Sequence, residues 1–536
     1  MLPNKRFWPA FVIVLAFCVL QSGASSQKMI WQADNGDGTY RNPVVYADYS
    51  DPDVIRVGDD YYMTSSSFQC APGLPILHSK DLVNWRIIGH ALPKQESPRY
   101  DLPRNGEGCW APSLRYHSGQ FWIYYGDPDL GVYMIKTKDI RGPWEAPVLV
   151  KTAKGWIDPC PLWDDDQMYL VHAWAKSRVG FNAVLTVVRL SPDGTRVLDE
   201  GRDVFKGGDR HPTLEGPKFY KRNGYYYIFA PAGGVKPGWQ VVFRSRSVYG
   251  PYEDRIVLHQ GSTIVNGPHQ GGWIDSPDGA DWFVHFQDRD AYGRIVHLQP
   301  MVWKDDWPVM GEDKDGDGNG DPVMKWAKPK GTEKFSIFEP QTTDEFADAK
   351  LGLQWQWNAN PRDEWYSLTA RKGYLRLEAE PKPEGSANLW AVPNLLMQKF
   401  PGPKFTVTTR VDTGKLMSDD RAGLLVMGSD YAYVAVVREK AGLRVLEVVT
   451  SNADKGQPEA VEASEVLKSG PVYFRVSVEP EAVCQFSYST DGKAFKALGK
   501  TFIAKPGRWI GARIGLFAQS AGTKSGYADI DWFRVE

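Results

Sequence analysis

Five times along its first 300 residues the chain repeats one alternation of apolar and polar positions. A proline stands beside a polar, aromatic or acidic side chain, a short strand-like run follows, then a turn of Gly, Asp or Asn, then an aromatic-rich run. The openings are SDPDVIRV, WAPSLRY, IDPCPLW, EGPKFY and GPHQGGWI, and the aromatic runs are GDDYYMTSS, SGQFWIYYG, DDDQMYLVHA, RNGYYYIFA and GADWFVHFQ. Pro52 to Tyr61, Pro112 to Phe121 and Pro159 to Met168 are each nine residues, Pro217 to Tyr225 is eight, and the fifth unit carries the insertion IDSPDGAD. Such an interval with a Gly, Asn or Asp turn near its end predicts a β-hairpin. The segments HSKDLVNWRIIG, KTKDIRGPWEAP and RSRSVYGPYEDR are expected to form the outer strands of three units. Hairpin plus outer strands, repeating every 47 to 60 residues, predicts blades of a propeller, five of them from about Asn42 to Trp326. A β-sandwich with incidental aromatic hairpins is the competing fold.

Beyond the Pro/Lys-rich connector KPKGTEKFSIFEP (Lys328–Pro340) the pattern changes. KFTVTTRVD, AGLLVMGSDYAYVAVVRE, LRVLEVVTS, VYFRVSVEP and CQFSYSTDGKAFKAL alternate at period two, and GARIGLFAQS and YADIDWFRVE complete the set. These predict an antiparallel β-sandwich of jelly-roll, concanavalin-like type. The expected all-β organisation is an export segment at 1–26, a propeller at 27–327, a connector at 328–340 and a sandwich at 341–536.

The export reading rests on Lys5 and Arg6, the apolar run Phe7 to Leu20 and the small residues SGASS. Cys18 follows Phe17 rather than a small residue, which argues against a lipid-anchored cysteine. No later stretch is apolar enough to span a bilayer, so the expectation is a periplasmic or secreted protein. A net charge of −2 with interspersed signs gives no reason to expect a nucleic-acid partner. Four cysteines outside 1–26 (Cys70, Cys109, Cys160 and Cys484), without CxxC spacing, are neither a disulfide framework nor a zinc site. The aromatic content, 21 Trp, 25 Tyr and 23 Phe, exceeds what a core needs and suits stacking on sugar rings.

In a propeller the first strand of every blade lines the channel, so equivalent positions converge on one face. Asp51, Trp110, Asp158, Glu215 and His269 are equivalent to within a residue or two. Three carboxyl groups gathered among aromatic rings suit glycosidic bond cleavage, in which one gives a proton and another activates water. Crowding raises the pKa of one member and separates the roles. A hard-cation site is the alternative for an acid cluster, but the interleaved Trp and Pro fit a sugar pocket better. Asp53, Asp59, Asp60 and Asp164 to Asp166 read as strand-flanking or solvated turn residues. GEDKDGDGNGDP (Gly311–Pro322) begins like a calcium loop with Asp313, Asp315, Asp317 and Gly318. Its twelfth position is Met324 rather than a bidentate Glu, so an acidic loop is the preferred reading.

The ordered set NPVVYADYSDPDVIRVGDDYYMTSSSF, HSKDLVNW, CWAPSLRY, IDPCPLWDDD, EGPKFYKRNGYYYIFAPAGG and YGRIVHLQPMVW resembles glycoside hydrolase family 43, in particular its β-xylosidases and arabinofuranosidases with an extra C-terminal domain. The resemblance implies an inverting, exo-acting β-xylosidase on xylan-derived oligosaccharides, with α-L-arabinofuranosides as a second substrate class and no organic cofactor. It implies Asp51 as general base, Glu215 as general acid, and Asp158 as the carboxylate that tunes and orients the acid. It further implies Arg294, Phe68 and Trp110 as sugar contacts, against structural or core roles for each. His269 matches a channel histidine near a structural Ca2+, with a satisfied core histidine as the other reading. The C-terminal sandwich is expected to pack on the propeller, and a freely tethered sugar-binding module is the alternative. A non-catalytic, lectin-like propeller is the competing function.

Overall fold

Each proline-headed unit folds into one four-stranded antiparallel sheet, and the five sheets follow one another in chain order. The computed structural model describes residues 29–332, 335–468, 470–522 and 526–536; the expected export segment at 1–26 lies outside them. The inner strands are Asp53–Val57, Trp110–His117, Trp156–Asp164, Lys218–Arg222 and His269–Asp275. They neighbour one another around a ring, the fifth returning to the first. The aromatic runs form the second strands: Asp60–Thr64, Gln120–Asp127, Gln167–Trp174, Tyr225–Ala232 and Asp281–Asp288. The three segments expected as outer strands are instead the turns joining third to fourth strands. In the first blade, for example, the outer pair is Gly73–Ser79 and Arg86–Leu92. Their Asp, Gly and Pro residues are turn chemistry, with strand residues only at the ends.

Two eight-stranded antiparallel-rich sheets make the C-terminal sandwich. One is centred on Arg513–Ser520, Arg421–Met427 and Tyr431–Glu439, the other on Tyr527–Val535, Phe405–Asp412 and Val472–Glu479. Strict alternation in Phe405–Asp412, buried at every second residue, turns one face to the shared core. That core takes in Ala291, Tyr292 and Ile295 of the fifth blade, so sandwich and propeller share one apolar cluster. Backbone bonds between Ala71 and Trp357, and from Ala512 to Ala291, stitch the same seam. The sandwich is therefore docked rather than loosely tethered. The connector is anchored too, since Lys328 is buried and its Nζ donates to Asp34 at 2.5 Å and reaches Asp81 at 2.8 Å. Among the described residues no helix is long and apolar enough to cross a membrane.

Candidate active site

The prolines that head the blades do more than start strands. Asp51 (φ 55°), Ala111 (φ 29°), Asp158 (φ 58°) and Gly216 (φ 61°) each stand immediately before one and adopt left-handed backbone. Proline disfavours the right-handed helical region for the residue before it, and holding non-glycine residues left-handed needs a tightly determined surrounding. Register shifts lie at the same level, between Trp110 and Ser113, Ile157 and Cys160, and His269 and Gly271. A bulge re-aims the side chain at a strand's mouth, and here the kink turns acids towards the channel opening.

Asp51, 5% exposed, accepts from Ser50 Oγ at 2.7 Å and Ser66 Oγ at 2.5 Å. Arg294 Nη1 donates to its other oxygen at 3.2 Å and to Ser50 Oγ at 2.6 Å. The guanidinium also lies over Phe286, 4.9 Å from the ring centroid. Asp158, 4% exposed, accepts from the backbone N–H of Gly216 at 2.7 Å, so its carboxylate is tied to the residue following Glu215. Burial lifts the Asp158 pKa above the ordinary carboxylate range, and the neighbouring charges of Glu215 and Asp51 lift it further. The cluster therefore retains a proton near neutral pH, and that proton belongs to the group as a whole. Glu215, with 29% of its side chain exposed, opens to solvent and is met by His269 Nε2 at 3.1 Å from its Oε1. The three acids, drawn from blades 1, 3 and 4, lie close enough for the charges of Glu215 and Asp51 to act on Asp158.

Phe68 and Trp110 form the aromatic wall in an edge-on pair with centroids 6.3 Å apart. Trp509, from the sandwich, completes it at 6.3 Å from Trp110 and 5.9 Å from the Arg294 guanidinium, while Ile510 packs on Phe68, Cys70 and Trp110. Trp509 is itself left-handed (φ 65°) and 41% exposed. Its loop is fastened by Asp48, a buried carboxylate that accepts from Gly511 N at 3.0 Å and from Arg294 N at 2.9 Å. One side chain thus fixes both the arginine and the aromatic lid wall. Sequence reasoning missed Trp509, Asp48, Ser50 and Ser66. GRWIG carries no motif, and the serines lie in a stretch whose acids drew attention first.

Asp53 is a correction. It is fully buried rather than solvated, accepting from Leu114 N at 2.8 Å and Arg115 Nη1 at 2.7 Å, with Lys218 Nζ 3.6 Å away. Two residues past Asp51 on an inner strand, its side chain enters the channel floor, where only cations can neutralise it. His269 is fully buried, and its Nδ1 has no hydrogen-bond partner among the described residues. A hard cation needs several oxygen ligands, whereas His269 offers one ring nitrogen and the nearby Gln270 leaves an amide nitrogen unpartnered. This donor set does not fit a protein-ligated calcium. Among the described residues the grouped carboxylates able to hold a metal are Asp313, Asp315 and Asp317, on the acidic loop. There the Gly316 and Gly318 amides already cap Asp313.

Both domains resemble known proteins. Residues 40–308 match the model of the glycosyl hydrolases family 43, and residues 343–536 that of a β-xylosidase C-terminal concanavalin A-like domain. A putative β-xylosidase of Xylanibacter ruminicola is 43% identical over 90% of this chain and 86% of its own. A β-xylosidase of Formosa agariphila is 34% identical over 96% and 93% respectively. The crystal structure of a xylan β-1,4-xylosidase from Bacillus halodurans superposes with a TM-score of 0.82 at 25% identity, covering 92% of this chain and 99% of that one.

Proposed function

The chain belongs to glycosyl hydrolase family 43, and from that premise we propose that it is an exo-acting β-xylosidase that removes terminal xylosyl residues from xylo-oligosaccharides with inversion. The convergence of Asp51, Asp158 and Glu215, with Phe68, Trp110 and Trp509 gathered beside the Asp51–Arg294 pair, carries this reading. Asp51, oriented by Ser50, Ser66 and Arg294, takes a proton from water as the oxygen attacks the anomeric carbon. Glu215, the most exposed of the three, gives its proton to the departing glycosidic oxygen as the C–O bond breaks. The enzyme is left with Asp51 protonated and Glu215 ionised, and exchange with solvent restores both. Asp158 keeps the proton supply of the cluster and, through Gly216 N, the placement of Glu215. Relatives named arabinofuranosidase, such as that of Bacteroides ovatus at 30% identity, support arabinofuranosides as a second substrate class. Action outside the cytoplasm rests on the pattern of residues 1–26 and is checked by sequencing the N-terminus of the mature protein.

Glu215→Gln is expected to lower kcat on xylobiose by roughly 10²–10⁴-fold, with a smaller loss on a dinitrophenyl xyloside, whose leaving group needs no proton. NMR of the first-formed product should show α-xylose. Retention of the β-anomer would overturn the role of Asp51, and an intact protein inert on every aryl glycoside would favour a binding protein instead.

A further inference from the structure

Away from the carboxylates, where propeller, connector and sandwich meet, lies a partly open cavity with room for only a few water-sized groups. Its walls mix aromatic side chains such as Trp31, Tyr49 and Trp85 with the amides of Gln354, Gln356 and Gln398. Into this space comes the half-buried Lys399, whose Nζ sits 4.9 Å from the Tyr49 ring centroid and makes no hydrogen bond or ion pair among the described residues. Directly opposite Lys399 across two paired strands stands Arg513, 2% exposed. Its Nη1 donates to Gln356 Oε1 at 2.8 Å, but Nε and Nη2 have no partner. The half-buried His90 lines the same cavity.

Buried cations are ordinarily paired, and a buried unpaired donor calls for an explanation. The carboxylates nearby are committed elsewhere. Asp48 holds the Arg294 and Gly511 amides. Glu339, on the cavity wall, accepts from the amides of Ile30 and Trp31, both at 2.8 Å. Burial and the adjacent Arg513 charge push Lys399 down to about 8, and burial and Lys399 push His90 down to about 3. At neutral pH the junction thus carries a positive Lys399 beside the Arg513 guanidinium and a neutral His90 imidazole, with Asp48 as the one carboxylate acting on Lys399 among the described residues.

We propose that this interdomain cavity is a binding site for a small monovalent anion, a halide or a short-chain carboxylate, held by Lys399 and charge-balanced by Arg513. A space with room for only a few water-sized groups excludes a sugar or a phosphate ester. Because Lys399 belongs to the sandwich and Tyr49 and His90 to the propeller, the bound anion ties the two together. It does so next to Asp48, which fastens the Trp509 loop.

The test is thermal unfolding of the full chain at constant ionic strength, with gluconate, too large for the cavity, replaced stepwise by chloride or by acetate. The site predicts a saturable rise of a few °C in Tm for the anion that fits, and the lower half-saturating concentration identifies halide or carboxylate as the better ligand. Lys399→Met should lose the anion dependence while keeping xylosidase activity. Equal responses to chloride, acetate and gluconate, or an unchanged response in Lys399→Met, would overturn the proposal. If that variant does not fold, bromide-soaked crystals of the wild-type protein decide: an anomalous peak within hydrogen-bond reach of Lys399 Nζ supports the site, and an empty cavity refutes it.

Discussion

A single carboxyl group changes character with its surroundings. Asp51 and Asp158 share the same backbone kink and nearly the same exposure, yet Asp51 is met by two hydroxyls and a guanidinium. Asp158 is met by one amide and two negative neighbours. Removing the Asp158 charge should make the cluster release its proton more easily. In Asp158→Asn the alkaline limb of the kcat/KM profile is therefore expected at lower pH, with kcat reduced; an unmoved limb would remove Asp158 from the proton economy of the site. A second carboxyl illustrates the same physics away from catalysis. Glu447, buried in the strand Gly442–Thr450, is raised to about 7 by burial and by Glu462. Its folded pKa lies above the unfolded one, so its contribution to stability falls as pH rises from about 4.5 to 7. Glu447→Gln lacks that fall, and its denaturation midpoint should gain on the wild type across this window.

At the scale of elements, the short loop carrying Trp509 matters more than its length suggests. It joins no catalytic strand, yet it brings an aromatic face opposite Trp110 and over Arg294. A left-handed tryptophan is held by what surrounds it, here Asp48 through Gly511 and Ile510 against Phe68. Trp509→Ala should raise KM for xylobiose by about 2–10-fold, the equivalent of an aromatic contact of roughly 0.5–1.5 kcal/mol, with little change in kcat. A loss confined to kcat would mean that the loop positions the acids instead. The inner strands show the complementary design, in which left-handed backbone recurs before all five blade-heading prolines, and in blades 1 and 3 the kinked residue is itself an acid of the cluster, Asp51 or Asp158.

Across the whole molecule, charge is buried where blades meet. Asp53 on blade 1 holds Leu114 and Arg115 of blade 2 and faces Lys218 of blade 4 across the channel. Lys218 in turn donates to Pro112 O at 2.7 Å and Ser113 Oγ at 3.0 Å. Asp53→Ala would leave Arg115 and Lys218 buried without their anion, an expected loss of about 3–5 kcal/mol in urea unfolding. The same substitution should disturb catalysis, since Lys218 also acts on Asp158. The shared apolar core of sandwich and fifth blade leads to the expectation that the two unfold together.

The amino-acid order alone determined the blade repeat, the alternating strands of the sandwich and the ring position of Asp51, Asp158 and Glu215. These are legible because period-two alternation, turn residues and proline kinks act over a few neighbouring positions, and radial repetition then brings equivalents together. Only the tertiary structure decided that Asp53 is a buried ion partner, that Trp509 of the sandwich meets Trp110 and Arg294 of the propeller, and that Lys399 stands opposite Arg513 beside a cavity. Each of those outcomes depends on side chains from separate sheets being packed together, and no local periodicity records which distant surface a side chain will meet.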